Sequence, residues 1–223
     1  MGEIITLTAT DGQDLEGYRA DPKGDPRGGI VVIQEIFGLN PHIRDVCDRL
    51  ADQGYLVIAP ALFDRIELDI ELGYSEEDLK DGLGYMQKVG NETPMLDIQA
   101  ATDELRKSVS KVGAIGFCWG GQLAWLTAKN VNVDCAVGYY GVAIHQTLDP
   151  EPKCPVLLHF AEKDVFVPKD AIDKVRTRYP DMEVYSYPAN HGFNCDRRED
   201  FHEESAKQAM ERTLTFFAQH VGN

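Results

Sequence analysis

Apolar residues fall along this chain in short unbroken runs, and between the runs they recur every three to four positions. Residues 3–9 and 15–19 read as two short strands around the turn Asp11-Gly12. A loop rich in Pro and Gly covers residues 21–29, and the all-apolar run at 30–33 then has the pattern of a strand buried on both faces. Residues 41–53 are predicted helical, with Asn40 as the cap, Pro41 at the first helical position and Gly54 past the end. A second buried strand is predicted over 55–59.

Residues 64–93 are acidic and weakly patterned, and predict one helix within a long excursion. Over 94–107 the helical period returns, with Met95, Ile98, Ala101, Thr102 and Leu105 on one face. Strand and helix then alternate. A strand at 111–117 precedes a helix from Gly120, and strands follow at 135–139 and 156–160. A helix from about Pro168, a strand at 183–187 and a helix over 200–219 complete the chain. Strands alternating with helices predict an α/β fold with a mostly parallel central sheet and helices on both faces. No linker interrupts the pattern, so residues 1–223 are expected to form one domain. Reactive side chains in such a sheet belong at the carboxyl ends of the strands.

Composition narrows the function. The chain is 43% hydrophobic and 26% charged, ordinary for a globular protein. Its 37 acidic and 22 basic residues give a net charge of −15, which repels phosphate backbones and anionic lipid surfaces. Nucleic acid and membrane are therefore not expected as partners. No apolar run reaches the length of a membrane span, and residues 1–10 lack a basic stretch followed by an apolar one. The five cysteines are widely spaced with no CxxC pair, which argues against a disulfide framework or structural zinc. A reducing cytoplasm is the expected location.

The candidate chemistry centres on Gly116-Phe117-Cys118-Trp119-Gly120-Gly121, between a predicted strand and a predicted helix. This is the G-x-C-x-G form of a nucleophile elbow. Side chains at 116 and 120 would clash in so sharp a turn, and the turn presents the sulfur at a helix N-terminus, which favours thiolate. A thiol nucleophile needs a base and a group to orient that base. Asp164 and His191 each follow a predicted strand downstream, in the order nucleophile, acid, histidine. Either alone could be an ordinary loop residue; together, at the same sheet edge as Cys118, they predict a Cys118/Asp164/His191 triad. His159 lies within a strand and is expected in the core. Cys47, Cys135 and Cys154 are read as structural, and Cys195 as a possible neighbour of the pocket.

These residues resemble the dienelactone hydrolase family. The resemblance spans nearly the whole chain and is carried by Val32-Ile33-Gln34-Glu35-Ile36-Phe37-Gly38, the GFCWGG elbow, Ala136-Val137-Gly138-Tyr139-Tyr140-Gly141, the Asp164 loop and the segment Asn190-His191-Gly192-Phe193. It implies an α/β-hydrolase core in which Cys118, Asp164 and His191 are catalytic and Glu35 contacts the resting nucleophile. It also implies an oxyanion hole from the backbone N–H groups of Ile36 and Trp119. Glu35 follows a buried strand, so its carboxylate should reach the same upper edge, where a negative charge would keep the thiol protonated until substrate arrives.

The resemblance implies hydrolysis of dienelactone to maleylacetate through a thioester, a carboxymethylenebutenolidase activity with no metal or organic cofactor. It implies a monomer acting on a small ester or lactone. A general carboxylesterase or thioesterase is the alternative, as is a non-catalytic protein that binds ligands or senses redox state. Family members that open dienelactone hold its carboxylate with arginines before the central helix and shortly after the histidine. Here Lys80 near Tyr85 stands in the first region, and Arg197 and Arg198 come slightly late in the second. Phe37, Trp119, Tyr140 and Phe193 are aromatic candidates for the pocket wall.

Overall fold

The computed structural model describes residues 2–222; Met1 and Asn223, the outermost residues of the expected domain, lie outside the described residues. Eight strands, β1 (Glu3–Thr8), β2 (Asp14–Ala20), β3 (Gly29–Ile33), β4 (Leu56–Pro60), β5 (Val112–Phe117), β6 (Cys135–Tyr139), β7 (Val156–Ala161) and β8 (Glu183–Tyr187), form one sheet. Their order is β1-β2-β4-β3-β5-β6-β7-β8. The predicted hairpin β1–β2 pairs antiparallel and attaches antiparallel to β4, while every pairing from β4 to β8 is parallel. This is the mostly parallel sheet of an α/β-hydrolase fold.

Among the described residues six α-helices cover it: α1 (Pro41–Asp52), α2 (Glu76–Val89), α3 (Thr93–Arg106), α4 (Trp119–Asn130), α5 (Ala171–Arg178) and α6 (Glu203–His220). Alternation along β3 explains the two-sided core. Ile30 and Val32 join Ile43, Val46 and Leu50 of α1 and Phe217 of α6, while Val31 and Ile33 join Ile98 and Leu105 of α3 and Leu123 of α4. Hence the unbroken apolar runs: each residue of such a strand meets a helix layer. Helix α1 starts where predicted, with Asn40 Oδ1 accepting from Ile43 N–H at 3.2 Å and Pro41 in the first turn. Helix α5 begins at Ala171, three residues later than Pro168 suggests, because the intervening residues belong to the loop that carries Asp164.

Chain order places a switch point beside β3. The chain leaves β3 for β4 on one side, and β5 lies against its other side, with Ile33 opposite Gly116. A crevice opens at the carboxyl ends of strands where the winding reverses. Glu35 follows β3 by two residues and Cys118 follows β5 by one, so the fold delivers both to that crevice.

Candidate active site

Cys118 has φ 57°, in the left-handed region that L residues avoid. Such a conformation costs about 1–3 kcal/mol and persists only where its surroundings enforce it. They do so here. Cys118 N–H donates to Tyr139 O at 3.0 Å, and Cys118 O accepts from Gly121 N–H at 2.9 Å and Gln122 N–H at 3.2 Å. A Cβ at Gly116 would collide with the Gly120 carbonyl, and one at Gly120 with the carbonyls of Ile33 and Gln34. Both glycines are thus required by close backbone approach. The turn leaves Cys118 only partly buried, at the N-terminus of α4.

Asp164 follows β7 and His191 follows β8. His191 Nδ1 lies 2.7 Å from Asp164 Oδ2, with side chains 5% and 1% exposed. Asp164 is fixed in turn, since its Oδ1 accepts from the N–H groups of Phe166 at 2.8 Å and Val167 at 3.2 Å. The ring sits between Tyr140 and Phe166, with centroids 5.0 and 4.9 Å away. The other nitrogen, Nε2, is buried without a hydrogen-bond partner among the described residues. Burial disfavours the imidazolium, but the nearby Cys118 and the bond to Asp164 outweigh it and raise His191 to about 10. The arrangement holds a basic imidazole, steadied from behind by a carboxylate, at the edge that carries Cys118.

Glu35 is 1% exposed, and neither of its oxygens has a hydrogen-bond partner among the described residues. Glu35 therefore makes no hydrogen bond to Cys118. The carboxylate instead lies 3.9 Å from Arg198 Nη1. It also shares a buried cluster with His42 and Cys195, whose ligand atoms and a Glu35 oxygen lie within 4.8 Å of one another. Burial lowers His42 below the ordinary imidazole value. The N–H of Trp119 opens α4, where helix donors lack intrahelical acceptors, and the N–H of Ile36 has no acceptor among the described residues.

The expected pocket residues separate. Lys80 is exposed on α2, whereas Tyr85 donates to Glu67 Oε2 at 2.6 Å and stacks on Phe63, which stacks on Trp119. Arg197 turns outward to Asp45, and Arg198 turns inward. Phe37 is buried edge-on to Tyr74, and Arg198 lies over both rings. Phe193 is fully buried among Tyr139, Tyr140 and Tyr187, so it is core that supports the wall behind Tyr140. His159 is core as expected, bonded to the Tyr187 and Thr213 hydroxyls and lowered to about 3 by burial. Sequence reasoning missed Phe166, His42 and Tyr74. The only signal for Phe166 was its place two residues past Asp164.

The sequence profile described as the dienelactone hydrolase family matches residues 15–221. The chain belongs to the dienelactone hydrolase family. It is an enzyme of the carboxylic ester hydrolase class. A carboxymethylenebutenolidase of Pseudomonas putida is 34% identical, with 98% of this chain and 97% of that protein covered. A Klebsiella pneumoniae structure, provisionally named a dienelactone hydrolase, is 32% identical with a TM-score of 0.85 and 99% of each chain covered. A Pyrococcus furiosus esterase at 16% identity and TM-score 0.71, with 100% of this chain and 93% of that one covered, shares the fold. No described helix is long and apolar enough to cross a membrane.

Proposed function

We propose that this family member is a cysteine hydrolase of small lactones and esters, and that it converts dienelactone (4-carboxymethylenebut-2-en-4-olide) to maleylacetate through a thioester. One observation carries the reading: the strained Cys118 turn stands at the same sheet edge as a buried His191 whose Nδ1 lies 2.7 Å from Asp164 Oδ2.

Cys118 Sγ attacks the lactone carbonyl, and the oxyanion forms against the N–H groups of Ile36 and Trp119. Each such donor is worth about 3–4 kcal/mol of barrier. The intermediate collapses to the thioester and expels the enolate, which takes a proton from His191. His191 then removes a proton from water, the resulting hydroxide attacks the thioester, the thiolate of Cys118 is expelled, and the product acid gives its proton to solvent and departs as the carboxylate. Glu35 acts as a gate, its carboxylate turning toward the thiol or away from it according to what occupies the crevice. Arg198 pairs with the substrate carboxylate. These steps need no metal or organic cofactor.

Five free cysteines support a reducing cytoplasm as the location. We read residues 1–223 as one domain that acts as a monomer. A second reading, a general esterase or thioesterase, draws support from the exposure of Lys80, which leaves Arg198 as the one cation of the expected set beside the crevice.

A turnover panel of cis- and trans-dienelactone, neutral aryl esters and a thioester tests both readings, with and without alkylation of Cys118 located by mass spectrometry. Dienelactone turnover that stops in step with Cys118 alkylation is expected. Turnover confined to neutral esters would favour the general esterase, and turnover that survives full alkylation would remove Cys118 as nucleophile.

A further inference from the structure

Beneath the crevice, two buried polar side chains have no hydrogen-bond partner. Both oxygens of Glu35 and both ring nitrogens of His42 are unsatisfied among the described residues, and the two residues are 1% and 0% exposed. Leaving such groups unpaired costs about 1–3 kcal/mol each, more for a charge. Cys195, also fully buried, completes the group, and one donor atom from each lies within 4.8 Å of the others. No hydrogen bond joins Glu35 or His42 to the group, and the three donor atoms are close enough to share one ion.

We propose that Glu35, His42 and Cys195 form a binding site for one borderline-soft divalent cation of the zinc class, and that its occupation withholds Glu35 from the catalytic crevice. The donor set selects the ion. Thiolate, imidazole and carboxylate together suit zinc-class ions, while magnesium and calcium prefer oxygen alone. Metal–ligand bonds of about 2.0–2.3 Å put tetrahedral donors roughly 3.3–3.7 Å apart, so the donors need close in by no more than about 1.5 Å around the ion. Arg198 faces Glu35 Oε1 at 3.9 Å, which leaves Oε2 for the ion. Asp196 Oδ1 lies 3.6 Å from His42 Nδ1, as an outer carboxylate that steadies a ligating imidazole does. Its side chain is 42% exposed and marks the route from solvent. On binding, Cys195 loses the proton it now donates to Tyr74 OH at 3.3 Å, and that proton passes to solvent. The thiolate and carboxylate then neutralise the dication, and no redox step is involved.

The cation site stands without the catalytic reading; its effect on turnover rests on Glu35 acting as proposed. The test is a Co²⁺ titration of the full chain followed by visible absorption, in wild type, Cys195→Ser, His42→Phe, Asp196→Asn and Cys118→Ser, each first checked for native melting. A thiolate-to-cobalt charge-transfer band is expected in wild type and Cys118→Ser and is absent from Cys195→Ser. Asp196→Asn weakens binding about tenfold, and His42→Phe weakens it more. No band in wild type, or a band that survives Cys195→Ser and disappears with Cys118→Ser, overturns the site. Zn²⁺ is then added during ester turnover, each variant compared with its own metal-free rate. Inhibition of wild type that is relieved in His42→Phe is expected. Binding with no loss of rate would overturn the coupling to Glu35 while the cation site stands.

Discussion

Arg198 holds Nη1 3.9 Å from Glu35 Oε1, although its chain neighbour Arg197 points outward to Asp45. Two turns produce the reversal, through Cys195 N–H to Gly192 O at 2.9 Å and Arg198 N–H to Cys195 O at 3.1 Å. Gly192, at φ 80°, makes room, since a Cβ there would meet Arg198 Nη1 at 2.7 Å. In the proposed reading, Arg198 is the arginine that meets the substrate carboxylate. A charge-assisted bond of about 1.5–3 kcal/mol predicts that Arg198→Leu raises KM for dienelactone about 10–100-fold. Neutral aryl esters should change far less, and Arg197→Leu should change neither. Steady-state kinetics on both substrates checks this; equal losses on charged and neutral esters would mean that Arg198 acts through Glu35 alone.

Two neighbours, Cys118 and Asp164, raise the His191 imidazole. Cys118→Ser and Asp164→Asn should therefore each lower His191 from about 10. Titration of the His191 ring protons by NMR measures both shifts. On turnover, Asp164→Asn is expected to lower kcat by about 10³–10⁴, because the imidazole loses both its orientation and the support of its cation. A fall of less than tenfold would leave Asp164 as a loop anchor for Phe166 and Val167.

Why some of this could be read from residues alone, and some not, has local causes. The elbow was legible because Gly116 answers a steric demand made within five residues, at the Gly120 carbonyl, even though Gly120 itself answers to Ile33 and Gln34 at the end of another strand. The buried strands were legible because each is covered on both faces. Asp164 and His191 were legible because the ends of parallel strands share one edge. Arg198 was not, since its position depends on two turns that reverse the chain after His191. His42 was not, because a helical period reports only that a residue points inward, and so cannot tell an apolar partner from a buried Glu35. The lack of a hydrogen bond from Glu35 to Cys118 has the same origin: side chains that share an edge can still pair with different neighbours.

Asp64 supplies a pH test. Burial raises its carboxyl to about 6 from 3.8, with the Glu16 N–H bond pulling the other way. Because the folded value lies above the unfolded one, the contribution is fully present below about pH 3.8 and is lost as the pH rises through about 6. The ionised, buried carboxylate is therefore a burden at pH 8. Asp64→Asn keeps an oxygen for the Glu16 N–H, which now donates at 2.8 Å, and should add about 2 kcal/mol at pH 8. For a chain of this size that is a rise in Tm of about 4–8 °C. Near pH 4 the gain should vanish. Melting curves at both pH values decide, and an equal gain at each would trace the effect to something other than charge.

Asp97 on α3 is fully buried, and Arg65 grips it through Nε at 2.8 Å and Nη2 at 2.7 Å while also reaching the half-exposed Asp11 at 2.8 Å. A buried pair of this kind contributes little net stability over apolar residues of similar volume, yet removing one partner strands a charge. Arg65→Met should therefore cost about 3–5 kcal/mol in urea unfolding. Adding Asp97→Leu to Arg65→Met should recover much of that loss, because no buried carboxylate remains. Asp11→Asn breaks only a solvent-screened pair and should cost less than about 1 kcal/mol. If the double variant proves as unstable as Arg65→Met alone, the pair fixes the α3 position through geometry that apolar packing does not replace.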